Sequence, residues 1–291
     1  MNADRHVHLG RAVSQQNWLK ALWHYRRALE FDPHHTEARL ECAELYYRMD
    51  KPDLALEAID VILERLPDHP DALFARANVL LSRDEARPAL KLYQKVQQIV
   101  PNPSPEIHYN IALCLRKLGN NVKSLEAVER VFEEGFGFED AWDLAGRLYL
   151  DLGRPEEAAA AFGQIIEFDA NDVDAHHMRG IALARLTRWE EARAEWEAAR
   201  SLDPEWDEPY RELGWVAHLQ GETNRAEELL RKGLELNPEN IQARIDLGAV
   251  LISRKHYKEA ASELRRARES EPDNPVVETM LRELSAFERT P

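Results

Sequence analysis

The chain has 291 residues, of which 44% are hydrophobic and 31% charged, and a formal net charge of −15. An acidic body repels phosphate backbones, which argues against nucleic-acid binding, and two cysteines are too few for a disulfide framework. No apolar run approaches membrane-spanning length, so insertion in a bilayer is not expected.

Proline returns along the chain at one interval. Pro33, Pro67 and Pro101 stand 34 residues apart, as do Pro204, Pro238 and Pro272. The two sets are separated by three periods and one inserted residue. A period of this length predicts stacked helix–turn–helix units, each unable to bury its apolar face alone. A column of small residues has the same period: Gly10, Ala43, Ala77, Ala112, Gly146, Gly180, Gly214 and Gly248. A second column is Ala21, Ala55, Ala89, Ser124, Ala158, Ala192, Ala226 and Ala260. Four residues after each of these stands a larger apolar residue: Tyr25, Ile59, Tyr93, Val128, Phe162, Trp196, Leu230 and Leu264. That spacing places small and large side chains on one helix face, as two closely packed helices require.

The first unit starts almost at Met1. Its first helix carries Arg5, His6, His8, Arg11, Gln15 and Gln16, a polar set suited to an end repeat. The start, Met1-Asn-Ala-Asp-Arg-His6, lacks the apolar stretch of a signal peptide, and no cysteine is near it for lipid attachment. Cys42 and Cys114 fall in helical patterns and read as small core residues, so a reduced, cytoplasmic protein is expected. In the third unit, Ser82–Pro88 lacks the Leu-Gly turn seen elsewhere, and Pro101–Pro105 forms a proline-rich join holding the inserted residue. Between units four and five, the loop Glu133–Asp140 replaces the closing proline with glycines and aromatics; Phe136 and Phe138 read either as a contact site or as filling between units. In the fifth unit the spacing predicts helices over Asp140–Leu152 and Pro155–Phe168, with proline in the first turn of the second. Gly119, Gly153 and Gly221 are expected to end first helices in the left-handed conformation. Beyond Pro272, Val276, Val277, Met280, Leu281 and Leu284 recur at helical spacing. They predict a final helix over Pro275–Glu288 with Arg282, Glu283 and Glu288 turned to water.

With these columns the chain resembles the tetratricopeptide repeat family. The match is best at Ala192-Arg-Ala-Glu-Trp196-Glu-Ala-Ala199, closing on Asp203-Pro204 with Gly180 upstream. It recurs at Leu213-Gly214 with Ala226 and Pro238, and at Leu247-Gly248 with Ala260 and Pro272. The resemblance implies an all-α solenoid of eight helix–turn–helix units over residues 1–274, wound as a right-handed superhelix, with residues 275–291 as a capping helix and tail. One continuous array is expected.

The resemblance also implies that first-helix residues line a concave surface. Those columns hold Leu40, Glu44, Tyr47, Phe74, Asn78, Leu81, Tyr109, Asn110, Leu113, Arg116, Arg147, Leu150, His177, Ile181, Arg211, Trp215 and Ile252. An apolar stripe with polar anchors suits an extended peptide or an amphipathic helix. Tyr47, Phe74, Asn78, Tyr109, Asn110, Leu113 and Arg116, on consecutive units, are the candidate partner-binding residues. The acidic balance favours a basic segment. A clamp for a terminal carboxylate, one familiar use of this family's fold, is disfavoured. Asn78 and Asn110 occupy clamp-like columns, but the columns that need bases hold Phe74, Asp140 and Leu144.

Catalysis, a cofactor and a bound metal are not expected. His34-His35 and His176-His177 are sequence neighbours that point apart, unlike ligands at i, i+4. Lone histidines read as surface residues, and no phosphate-binding loop or nucleophile elbow occurs. The expectation is a non-enzymatic adaptor that holds a partner segment in its groove. The alternative is a self-assembling scaffold, or a regulatory subunit docked on an enzyme complex.

Overall fold

The computed structural model describes residues 2–133, 135 and 137–287. Among them lie seventeen α-helices and no strand. The helices pair as hairpins: α1 Ala3–Ser14 with α2 Trp18–Phe31, α3 Thr36–Arg48 with α4 Pro52–Arg65, α5 Pro70–Ser82 with α6 Ala86–Ile99, and α7 Pro105–Lys117 with α8 Asn121–Glu133. α9 spans Glu139–Asp151 and is followed by α10 Pro155–Phe168. The hairpins continue with α11 Val173–Arg185 and α12 Trp189–Leu202, α13 Glu208–Leu219 and α14 Thr223–Leu236, and α15 Ile241–Ser253 and α16 Tyr257–Ser270. α17, Pro275–Phe287, packs on α16. The chain groups into two compact units, residues 1–148 and 149–291, with the division inside α9.

The repeat columns are the core. All eight residues of the second small column are fully buried, and so are the large residues four positions on. Where serine replaces alanine in that column, the Ser124 hydroxyl donates to the Ala112 carbonyl at 2.7 Å, so its burial leaves no polar group orphaned. Gly10, Gly180, Gly214 and Gly248 of the first column admit the partner helix's large side chain. A Cβ on Gly10 would lie 2.4 Å from the Tyr25 ring, and one on Gly180 2.4 Å from Trp196 Nε1. Cys42 and Cys114 are buried free thiols, which burial pushes up to about 11.

Local signals set the helix ends. Several first helices are capped by the side chain before them: Asp172 Oδ1 accepts from Ala175 N–H at 2.7 Å, and Asn240 Oδ1 from Ala243 N–H at 2.9 Å. His35 and His69 do the same with Nδ1. Each turn inside a hairpin, from the second unit on, contains one left-handed residue: Asp50, Asp84, Gly119, Gly153, Thr187, Gly221 and Lys255. The segment Ser82–Pro88, which lacks the Leu-Gly pair, therefore makes the same turn with Asp84 at φ 63°. α9 begins and ends one residue before its predicted span, and α10 matches its prediction. In α17, Val277 and Leu284 are buried while Arg282 and Glu283 are exposed. Glu288 lies outside the described residues.

Candidate protein-binding groove

Within the first compact unit, α3 and α5 present the same columns side by side. Glu37, Leu40, Glu41 and Glu44 on α3 recur one period later as Asp71, Phe74, Ala75 and Asn78 on α5. Offsets of three and four residues put each set on one helix face. Together with Arg11, Thr36 and His69 these eight residues line a groove with a cavity volume of 550 Å³. Phe74 and Leu40 supply its apolar surface. Phe74 is half-buried, its ring edge-on to Tyr93 at 5.8 Å.

Carboxylates dominate the groove's charge. Arg11 answers two of them, at 2.6 Å from Glu37 and 2.5 Å from Glu41. Glu41 also accepts from the Tyr25 hydroxyl at 3.0 Å, and burial pushes that phenol well up, so it stays a neutral donor. Glu44 pairs with Arg48 at 2.8 Å on the same helix. Asp71 makes no ion pair among the described residues. One arginine inside the groove faces four carboxylates, leaving an excess that attracts cations.

Asn78 is held from both sides. Its Oδ1 accepts from the Tyr93 hydroxyl at 2.6 Å and from Asn110 Nδ2 at 3.3 Å. This fixes the amide so that Nδ2 remains to donate. Asn110 thus positions Asn78 through α7. Tyr109 is partly closed. Phe138 lies edge-on to it at 5.2 Å, and burial pushes its phenol up to about 12, with Asp140 and Asp143 adding to the shift. Leu113 and Arg116 are half-buried on α7 and Tyr47 is exposed on α3; none of the three lines the cavity.

The capping column explains which positions are open. Leu40, Phe74, Tyr109 and His177 share one column, and His69, Ser104, Phe138 and Trp206 stand in the column that follows each of them. Where that residue is aromatic it covers its neighbour: Phe138 covers Tyr109, and Trp206 lies edge-on to His177 at 4.6 Å. His69 and Ser104 leave Leu40 and Phe74 lining an open groove. His177, expected on the concave surface, is therefore buried, and Leu150, expected there as well, is also buried. Phe138 packs on Tyr109 inside the fold; Phe136 lies outside the described residues.

Histidines correct the sequence reading further. His6, His108 and His177 are buried rather than superficial. In the second compact unit, His177, Glu208 and Glu212 bring one ligand atom each within 4.8 Å of one another. Glu208 and Glu212 are at i, i+4 on α13. The Arg211 guanidinium already pairs with both carboxylates and with Asp246, 3.3 Å away. Burial, opposed by Arg211, pushes Glu212 up to about 7. The arrangement is a charge network on the guanidinium.

Comparison with known proteins bears on the family and the fold. One tetratricopeptide repeat model matches residues 12–79 and 217–284, and another matches residues 144–205. Hsp70-Hsp90 organizing protein 3 of Arabidopsis thaliana is 23% identical over 79% of this chain and 41% of its own length. BBSome complex member BBS4 of Bos taurus is 25% identical over 80% of the chain and 47% of its own. The Protein CTR9 homolog of Arabidopsis thaliana is 28% identical over 41% of the chain and 11% of its own. The chain thus spans less than half the length of these curated relatives. Among solved structures, the C-terminal part of a TPR repeat-containing protein from Cytophaga hutchinsonii superposes with a TM-score of 0.67 at 15% identity, over 83% of this chain and 99% of that one. The APC/C hetero-tetramer Cut9-Hcn1 gives 0.60 at 14% identity, over 92% and 52%. These structures share the fold. No helix among the described residues is long and apolar enough to cross a membrane. By the two family models and the repeat columns they cover, the chain belongs to the tetratricopeptide repeat family.

Proposed function

We propose that the protein is a non-enzymatic adaptor that binds a partner segment in the groove between α3 and α5. The segment is an extended peptide or amphipathic helix in which a lysine or arginine flanks a large apolar side chain. Proteins of this family generally mediate protein–protein interaction, which supports the class of function. The observation that carries the specific reading is the groove's composition: Phe74 and Leu40 form an apolar seat beside a carboxylate, Asp71, that makes no ion pair among the described residues. The apolar side chain rests on Phe74, the cation meets Asp71, and Asn78 Nδ2 donates to a peptide carbonyl. Tyr47, Tyr109, Asn110, Leu113 and Arg116 flank the seat. Asn110 acts through Asn78, and Tyr109 contributes the edge left open by Phe138.

The experiment is selection of a random synthetic peptide library on the whole protein, followed by retesting the selected peptides on variants. Phe74→Ala and Asp71→Lys are expected to abolish binding without loss of helicity. Interface energy concentrates in a few anchors worth about 2 kcal/mol or more each. Peptides that bind both variants as they bind the wild type would remove the groove from the mechanism.

A further inference from the structure

The outer face of α2 departs from the other repeats at Leu19 and Trp23, whereas the column of Phe31 is apolar and exposed elsewhere too, at Ile99, Phe168 and Leu202. Leu19 is 69% exposed, Trp23 53% and Phe31 57%. The repeats are an internal control for what belongs there. The column of Leu19 continues as Asp53, Arg87, Val122, Glu156, Glu190, Asn224 and Lys258, and all of these are exposed. The column of Trp23 continues as Glu57, Lys91, Glu126, Ala160, Ala194, Glu228 and Ser262, again all exposed. Charged and small residues therefore hold nearly all of these solvent-facing positions in the other seven units. In the first unit they hold a leucine and a tryptophan. An exposed apolar patch built where the fold calls for solvated residues marks a contact surface.

The pattern of this face fits itself. We infer that α2 pairs with α2 of a second copy, antiparallel about a two-fold axis near residue 25. In that register Leu19 faces Phe31 of the second copy, Lys20 faces Glu30, and Trp23 faces Arg27, and each contact occurs twice. The apolar residues meet apolar ones, the cation meets an anion, and the guanidinium meets an indole face. Self-complementarity under a two-fold is what a closed homodimer requires. Arg27 already lies over its own Trp23 ring, 5.5 Å from the centroid, and pairs with Glu30, so these side chains are held on the face. Their ordering lowers the cost of docking. Charge supports a face of this kind: residues 1–32 carry five basic and three acidic residues in a chain of net charge −15, so this end escapes the acidic self-repulsion of the rest. The dimer leaves the groove between α3 and α5 outside the contact and stands independently of the peptide-binding reading.

Sedimentation equilibrium of the full chain from micromolar to millimolar concentration tests the pairing. The wild type is expected to pass from monomer to dimer and to stop there. Leu19→Glu should remain monomeric across the range with unchanged helicity. Lys20→Glu places like charges in two symmetric contacts and should raise the dissociation constant roughly tenfold. Lys20→Glu combined with Glu30→Lys should restore it. A wild type that stays monomeric throughout overturns the inference, and co-sedimentation of that monomer with phosphatidylserine vesicles would assign the face to a membrane surface instead. A dimer indifferent to Leu19→Glu and to Lys20→Glu also overturns it.

Discussion

At the residue scale, packing is set by what fits beside a glycine or alanine on the facing helix. Gly180 and Trp196 show this most sharply. The indole lies where a Cβ would be, and its Nε1 donates to the His177 carbonyl at 3.1 Å, so the ring cannot shift without losing a buried hydrogen bond. Gly180→Ala gains about 1 kcal/mol of helix propensity. Overpacking costs roughly 1–3 kcal/mol and leaves the indole N–H unpaired. The expected net result is a lower melting temperature by calorimetry. Glu212 makes a second prediction. Its folded pKa of about 7 lies above its ordinary value of 4.5, so the folded state holds the proton more tightly than the unfolded chain. That contribution is fully present below pH 4.5 and is lost as pH rises through 7. Melting temperature should therefore fall between those limits, and Glu212→Gln should flatten the fall. Equal slopes in both proteins would assign the effect to other groups.

At the element scale, the columns made the helices legible. Small and large residues four apart, closing prolines and glycine turns place α10 and the start of α17, and bring α9 within a residue of its observed ends. The non-glycine turns were not legible, because aspartate, threonine and lysine carry no fixed signal for φ above zero. Thr187 is the most strained of them: it is β-branched and sits at φ 59°. Thr187→Gly should stabilise the hairpin of α11 and α12 by about 1 kcal/mol, read from denaturant midpoints. An unchanged or lowered midpoint would mean that the turn is not held left-handed in solution. The candidate site was legible in part for a related reason. Column position identified Phe74 and Asn78, and also Leu40 and Glu44. Whether a residue in that column is open depends on the capping residue before the next first helix, a contact between neighbouring units. Phe138 and Trp206 close Tyr109 and His177 in this way, and the tie between Asn78, Tyr93 and Asn110 likewise joins three helices.

At the scale of the whole molecule, the net charge is −15, and the four carboxylates that line the groove stand on α3 and α5. Attraction of a basic segment to Asp71 is screened beyond roughly 8 Å at physiological salt. Selected peptides should therefore bind more weakly as salt rises. Apolar contact with Phe74 is insensitive to screening and should leave a residual affinity at high salt. The central claim is that a basic, apolar segment binds between α3 and α5, and Phe74 with Asp71 tests it most directly. The measurement is the affinity of one selected peptide for wild type, Phe74→Ala and Asp71→Lys at low and high salt. The account predicts that Phe74→Ala loses binding at both salts, and that Asp71→Lys loses both the low-salt affinity and most of its salt dependence. A peptide bound equally by all three proteins, or one whose affinity is flat with salt and indifferent to Asp71→Lys, would contradict it.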